Sequence, residues 1–116
     1  MNIVEKSIVD PDIKAVFEFN GVRQRNIFDG IRPIHALIVD GKRYLTTGIH
    51  RYFDKKEVLP NETVQGTITF ISPEAYPHCL DIGDKMDIYD GPERVIGTAT
   101  VTGIMNPLLK ITERTI

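Results

Sequence analysis

Three arginines, Arg23, Arg25 and Arg32, lie close together in the chain, with Lys42, Arg43 and Arg51 following. Guanidinium groups present planar arrays of donors that match phosphate or carboxylate oxygens. Converging at one place, they would form a patch for RNA phosphates or for an acidic protein surface. The competing reading has Arg32 brace a chain corner through backbone carbonyls while the others are solvated. His35, His50, His78 and Cys79 are the side chains able to ligate a transition metal, but their spacing fits no finger or C-x-x-C pattern, so no metal is expected. Cys79 beside His78 is a weak nucleophile candidate, because loop neighbours rarely reach base-to-thiol geometry and no third orienting group is evident. Asp81, Asp84, Asp87 and Asp90 recur at every third position, which suggests calcium. The run lacks the D-x-[DN]-x-[DN]-G spacing with a distal glutamate, and Lys85 interrupts it, so it reads as a solvated turn and outward strand face. Those carboxylates could also contribute to an acidic recognition surface. Tyr44, Tyr52, Phe53, Tyr76 and Tyr89 are aromatic candidates for a binding hot spot. With no acid/base pair, nucleophile or metal set in view, neither an enzyme nor a cofactor is expected.

The elements that position these groups are read from composition and periodicity. The chain has 116 residues, a formal charge of −2 and a pI near 5.9, so it has no global positive field to draw in nucleic acid. Hydrophobic residues at 41% and charged residues at 26% suit a single globular domain. The single cysteine excludes an intramolecular disulfide. No signal pattern opens the chain and no apolar run approaches a membrane span, so a cytoplasmic protein without membrane contact is expected.

From Ile13 the pattern alternates strictly, with Ile13, Ala15, Phe17 and Phe19 on one face. Asn20-Gly21 ends that strand. A polar loop leads to Asp29-Gly30-Ile31-Arg32-Pro33, a rigid corner that opens a second strand over 34–39. Asp40-Gly41 is a hairpin signal, and a third strand runs over 43–47. Residues 48–62 give no clear pattern. Thr63 to Ile71 alternates again and Ser72-Pro73 stops it; residues 74–84 form a long loop, and strands follow over 85–89 and 94–104. Six short strands and no helix predict an all-β, closed or nearly closed barrel, with Gly66, Gly97 and Ala99 suited to its tight interior. The expected organisation is an arm over 1–11, one barrel over 12–105 and a tail over 106–116.

The run Gly21-x-Arg23-x-x-x-x-Phe28-x-Gly30-x-Arg32-Pro33 resembles the run joining the first two strands of the third, C-terminal barrel of bacterial elongation factor Tu. Leu59-Pro60-Asn61-Glu62 stands where that family shows M-P-G-D. The strand from Val64 to Pro73 is similar to its V-x-x-x-V-x-L-I-x-P strand, and Arg94-Val95-Ile96-Gly97-Thr98-Ala99-Thr100-Val101 to its closing R-x-V-G-x-G-x-V. The resemblance covers about residues 13–104 and implies a six-stranded Greek-key barrel of the translation-factor type. Arg23, Arg25, Arg32, His35 and Arg94 are the expected partner- or RNA-binding residues; Ile34, His35 and Ala36 take the places of the family's glutamine and aromatic residues near the tRNA T-stem, a departure that counts against tRNA contact. No G-x-x-x-x-G-K-[ST] phosphate loop is present, so no GTP binding is expected. The expectation is a non-catalytic, stand-alone module that contacts a protein, for example on the translation machinery or as a factor-like decoy, with RNA binding through the arginines as the alternative.

Overall fold

The computed structural model describes residues 10–91 and 93–111. Eight strands occur among them: β1 Ile13–Phe19, β2 Ile27–Phe28, β3 Ile34–Val39, β4 Lys42–Tyr52, β5 Glu57–Val58, β6 Thr63–Phe70, β7 Lys85–Tyr89 and β8 Val95–Ile104. Six close into an antiparallel barrel in the order β1-β6-β4-β3-β7-β8, while β2 and β5 form a separate two-stranded ladder. Closure leaves the barrel strands without a free outer edge, except at one seam described below. No helix among the described residues is long and apolar enough to cross a membrane.

Alternation does most of the positioning. Ile13, Ala15, Phe17 and Phe19 of β1 point inward with Val64, Ile68 and Phe70 of β6 and with Met86, Ile88, Ala99 and Val101 of β7 and β8. Two glycines permit strands to approach. A Cβ at Gly66 would stand 2.1 Å from the Arg51 carbonyl oxygen, and one at Gly97 would stand 2.6 Å from that of Glu18. Bulges at Lys14/Ala15 and at Ile88/Tyr89, both against β8, add the bend that a small closed sheet requires. The Asp40-Gly41 hairpin turns through two left-handed residues, φ 54° and 78°, which matches strand twist.

Three features depart from the sequence reading. The third strand does not end at Thr47 but continues as β4 to Tyr52, pairing Gly48 with Phe70 and Tyr52 with Gly66. Ile27–Phe28 and Glu57–Val58, read as loop, pair with each other and bury Ile27 and Val58. Residues 106–111 do not leave as a tail: Leu109 is buried, and a parallel bridge joins Leu80 to Lys110. The arm expected over 1–11 falls outside the described residues except at Asp10 and Pro11, and the end of the tail, 112–116, likewise.

Asp12 fastens the end of the barrel where β1 begins. Its Oδ2 accepts the Phe70 amide at 2.7 Å, its Oδ1 accepts the Asn106 side-chain amide at 2.8 Å, and its carbonyl accepts the amides of Met105 and Asn106. Asp12→Ala strips the buried Phe70 N–H of its partner. The expected loss is about 2 kcal/mol, the scale of a buried charge-assisted hydrogen bond. Urea denaturation checks it; an unchanged midpoint would show that Asp12 is dispensable there.

Candidate binding site at the barrel rim

The Asp29–Pro33 corner is held against β4 by main-chain bonds. Gly30 N donates to His50 O at 2.8 Å, His50 N to Ile31 O at 2.9 Å and Gly48 N to Pro33 O at 3.1 Å. Gly30 takes φ 93°, the left-handed conformation that lets the chain turn here. Asp29 clamps the same corner, accepting the Tyr52 amide at 2.9 Å and pairing with Arg51 at 3.0 Å. Arg32 is thereby presented outward. It makes no hydrogen bond or ion pair among the described residues, so it does not act as the carbonyl brace considered above.

Arg23 and Arg32 meet on a cleft of about 160 Å³, whose other walls include Ile34, Tyr89, Asp90 and Ile96. Arg23 is partly buried and lies 3.6 Å from the Asp90 carboxylate, while its Nε is buried without a hydrogen-bond partner. Tyr89, buried, contributes to the wall. Its hydroxyl accepts a hydrogen bond from Arg43, whose guanidinium lies 5.1 Å from the ring centroid. The cleft therefore combines guanidinium donors, an aromatic ring, aliphatic surface and one carboxylate.

The other expected site residues lie elsewhere. Arg25 is exposed and does not line this cleft. Arg94 donates to the Val22 carbonyl at 3.3 Å, a brace for the 21–23 turn. His35 has no exposed surface, so its side chain cannot touch a partner in this fold. The sequence reading sets it among the binding residues, but β3 turns Ile34, Ala36 and Ile38 outward and His35 with Leu37 inward.

Inside the barrel, His35 joins a polar chain that the sequence reading missed. His35 Nε2 lies 2.7 Å from His50 Nε2, His50 Nδ1 lies 2.8 Å from the Tyr52 hydroxyl, and His35 Nδ1 lies 3.4 Å from Thr46 O. A carbonyl only accepts, which assigns the hydrogens: His35 carries its proton on Nδ1, His50 donates from Nε2, and Tyr52 donates to His50 Nδ1. Burial lowers the His35 pKa to about 4 and that of His50 well below its ordinary value, His35 adding to the latter. Burial, with the Asp29 carboxylate, raises that of Tyr52. The chain is neutral and satisfied, surrounded by Phe17, Phe19 and Phe70. The signal for it was parity: once β4 reaches Tyr52, His50 and Tyr52 share the inward face of Thr46 and Gly48.

Of the remaining candidates, His78 Nδ1 lies 2.9 Å from the Lys110 carbonyl oxygen and Cys79 is half-buried. Burial raises the Cys79 pKa, which disfavours a thiolate. Among the described residues no group of three or more His, Cys, Asp or Glu is placed to hold a metal ion. Asp81 and Asp84 organise their own turn: the Asp81 amide donates to Asp84 at 2.9 Å and the Ile82 amide to Asp81 at 2.9 Å. Asp81 also pairs with Lys110. Compared with known proteins, the chain matches no family model and no curated relative.

Proposed function

We propose that this chain is a non-catalytic binding module that contacts a protein partner through the arginine-lined rim cleft. The carrying observation is the composition of that cleft. Arg23 and Arg32 share it with Tyr89, Ile34 and the Asp90 carboxylate. Arginine beside tyrosine on a partly desolvated, mixed-charge surface is the chemistry of protein hot spots. A carboxylate within the same cleft repels a phosphate.

The scaffold reading is a stand-alone relative of the C-terminal barrel of elongation factor Tu, of Greek-key type. The strand order supports it, since β3, β4 and β6 are neighbours in succession and β7 returns beside β3. The four matching runs of sequence support it independently. A cytoplasmic location follows from the same reading. RNA is the second reading, favoured by the exposure of both Arg25 and Arg32.

Arg32→Glu tests the site. Arg32 is exposed and unpaired, so its reversal is expected to leave stability within about 0.5 kcal/mol while lowering partner recovery in affinity capture by about tenfold or more. Unchanged recovery by the folded variant would remove the cleft from the interface. For the RNA reading, binding must weaken steeply with salt and with Arg25→Ala.

A further inference from the structure

The barrel is weakest at the seam between β3 and β7. Their ladder consists of two residue pairs, Ile34 with Tyr89 and His35 with Ile88, and then stops. Each strand stays paired on its other side: β3 with β4 out to Val39 and Lys42, β7 with β8 back to Lys85 and Thr100. Continued in register, the ladder would have set Ala36 opposite Asp87 and Ile38 opposite Lys85; instead the strands part. Because Gly48 N bonds Pro33 O and the two-residue hairpin closes at Val39 and Lys42, the odd-numbered residues of β3 aim their main chain at β4. The main-chain N–H and C=O groups of Ala36 and Ile38 therefore face the opening.

The opening is a groove of about 230 Å³ between Ala36, Leu37 and Ile38 on one side and Leu80, Lys85 and Met86 on the other. Ile38 at its lip is 60% exposed. The Asp84 carboxylate, also in the groove wall, is engaged by the Asp81 amide, whereas Lys85 has no carboxylate partner among the described residues.

We infer that this seam accepts an extended segment of the partner protein as an added strand on Ala36 and Ile38, with an apolar side chain over Leu80 and Met86 and a carboxylate opposite Lys85. Unpaired strand amides are complemented by another extended main chain, and a side-chain pocket beside them gives selectivity. Lys85, the cation of the groove and without an ion-pair partner among the described residues, sets the sign of the group that stands opposite it. This deepens the protein-binding reading and rests on it.

The test is titration of isotope-labelled protein with a capped peptide of alternating glutamate and valine, followed by amide NMR shifts. Saturable shifts centred on Ala36, Ile38 and Met86 are expected, with binding about tenfold tighter than for the lysine–valine counterpart. They should vanish for a glutamate–valine peptide with a central proline and for Ile38→Pro. Should Ile38→Pro fail to fold, Lys85→Glu serves: it should reverse the preference towards the lysine peptide. Equal binding of the proline-interrupted peptide would overturn strand addition, as would the absence of shifts, or shifts that depend on protein concentration because a second copy occupies the edge. Loss at the seam alone, with nuclease-resistant partner capture that still depends on Arg32, would overturn the seam and leave the protein-binding reading standing.

Discussion

Gly66→Ala is expected to destabilise the barrel by about 3 kcal/mol or more, a large fraction of the marginal stability of a domain. The added Cβ would stand 2.1 Å from the Arg51 carbonyl oxygen and 3.0 Å from the Tyr52 Cα. Both are backbone atoms of β4, so no side chain can swing aside. Relief requires β6 to move away from β4, which breaks the Arg51–Thr67 and Tyr52–Gly66 register and disturbs the Tyr52 hydroxyl that ends the interior polar chain. Gly41→Ala is the control, because nothing lies within 4 Å of its Cβ position; its φ of 78° makes its cost a local turn effect. Circular dichroism melts of the two variants decide the matter, and a Gly66→Ala melt equal to the wild type would refute the close approach.

The second large effect is acid lability. In the unfolded chain a histidine titrates near 6.5, while folded His35 takes its proton only near pH 4 and burial holds His50 well below its ordinary value. Between those limits the unfolded chain binds more protons, so stability is full above about pH 6.5 and falls as pH falls. At about 1.4 kcal/mol per unit of pKa difference, His35 alone removes about 3 kcal/mol by pH 4. The mechanism is local. Protonating either ring puts a donor where Nε2 of His35 or Nδ1 of His50 must accept, among aromatic rings that offer a charge no partner. Urea midpoints measured from pH 7 to pH 5, above the range in which ordinary carboxylates titrate, should fall steadily. The double variant His35→Phe, His50→Phe should flatten that slope. A wild-type midpoint constant across the window would show that the pair is not buried neutral.

Much of this architecture was legible, and the misses have physical reasons. β1 was readable because its inward face is apolar and its outward face carries Lys14 and Glu18. β4 was truncated because Gly48 reads locally as a breaker. The glycine is there for a neighbour remote in sequence: a Cβ at Gly48 would meet Ile68 Cγ2 at 2.6 Å and His35 Cε1 at 3.0 Å. The direction of His35 was ambiguous because β3 carries apolar residues at both parities, with Ile34, Ala36 and Ile38 alternating against Leu37 and Val39. Leu109 gave no local sign that it would be buried, since its docking depends on main-chain bonds to a segment remote in sequence, His78 N to Leu108 O and Leu80 N to Leu109 O. At the rim, Arg23, Arg25 and Arg32 were grouped by their nearness in sequence, and the fold brings Arg23 and Arg32 to one cleft but not Arg25. The Arg43 contact with Tyr89 was not foreseeable, because the hairpin and β7 carry no mark of each other in sequence.

The decisive measurement is affinity capture from host lysate, with and without nuclease, analysed for both protein and RNA. The protein-binding reading predicts a partner that survives nuclease treatment and is lost with Arg32→Glu. Recovery of RNA, with every co-purifying protein lost on nuclease treatment, would contradict it and make the rim a nucleic-acid interface.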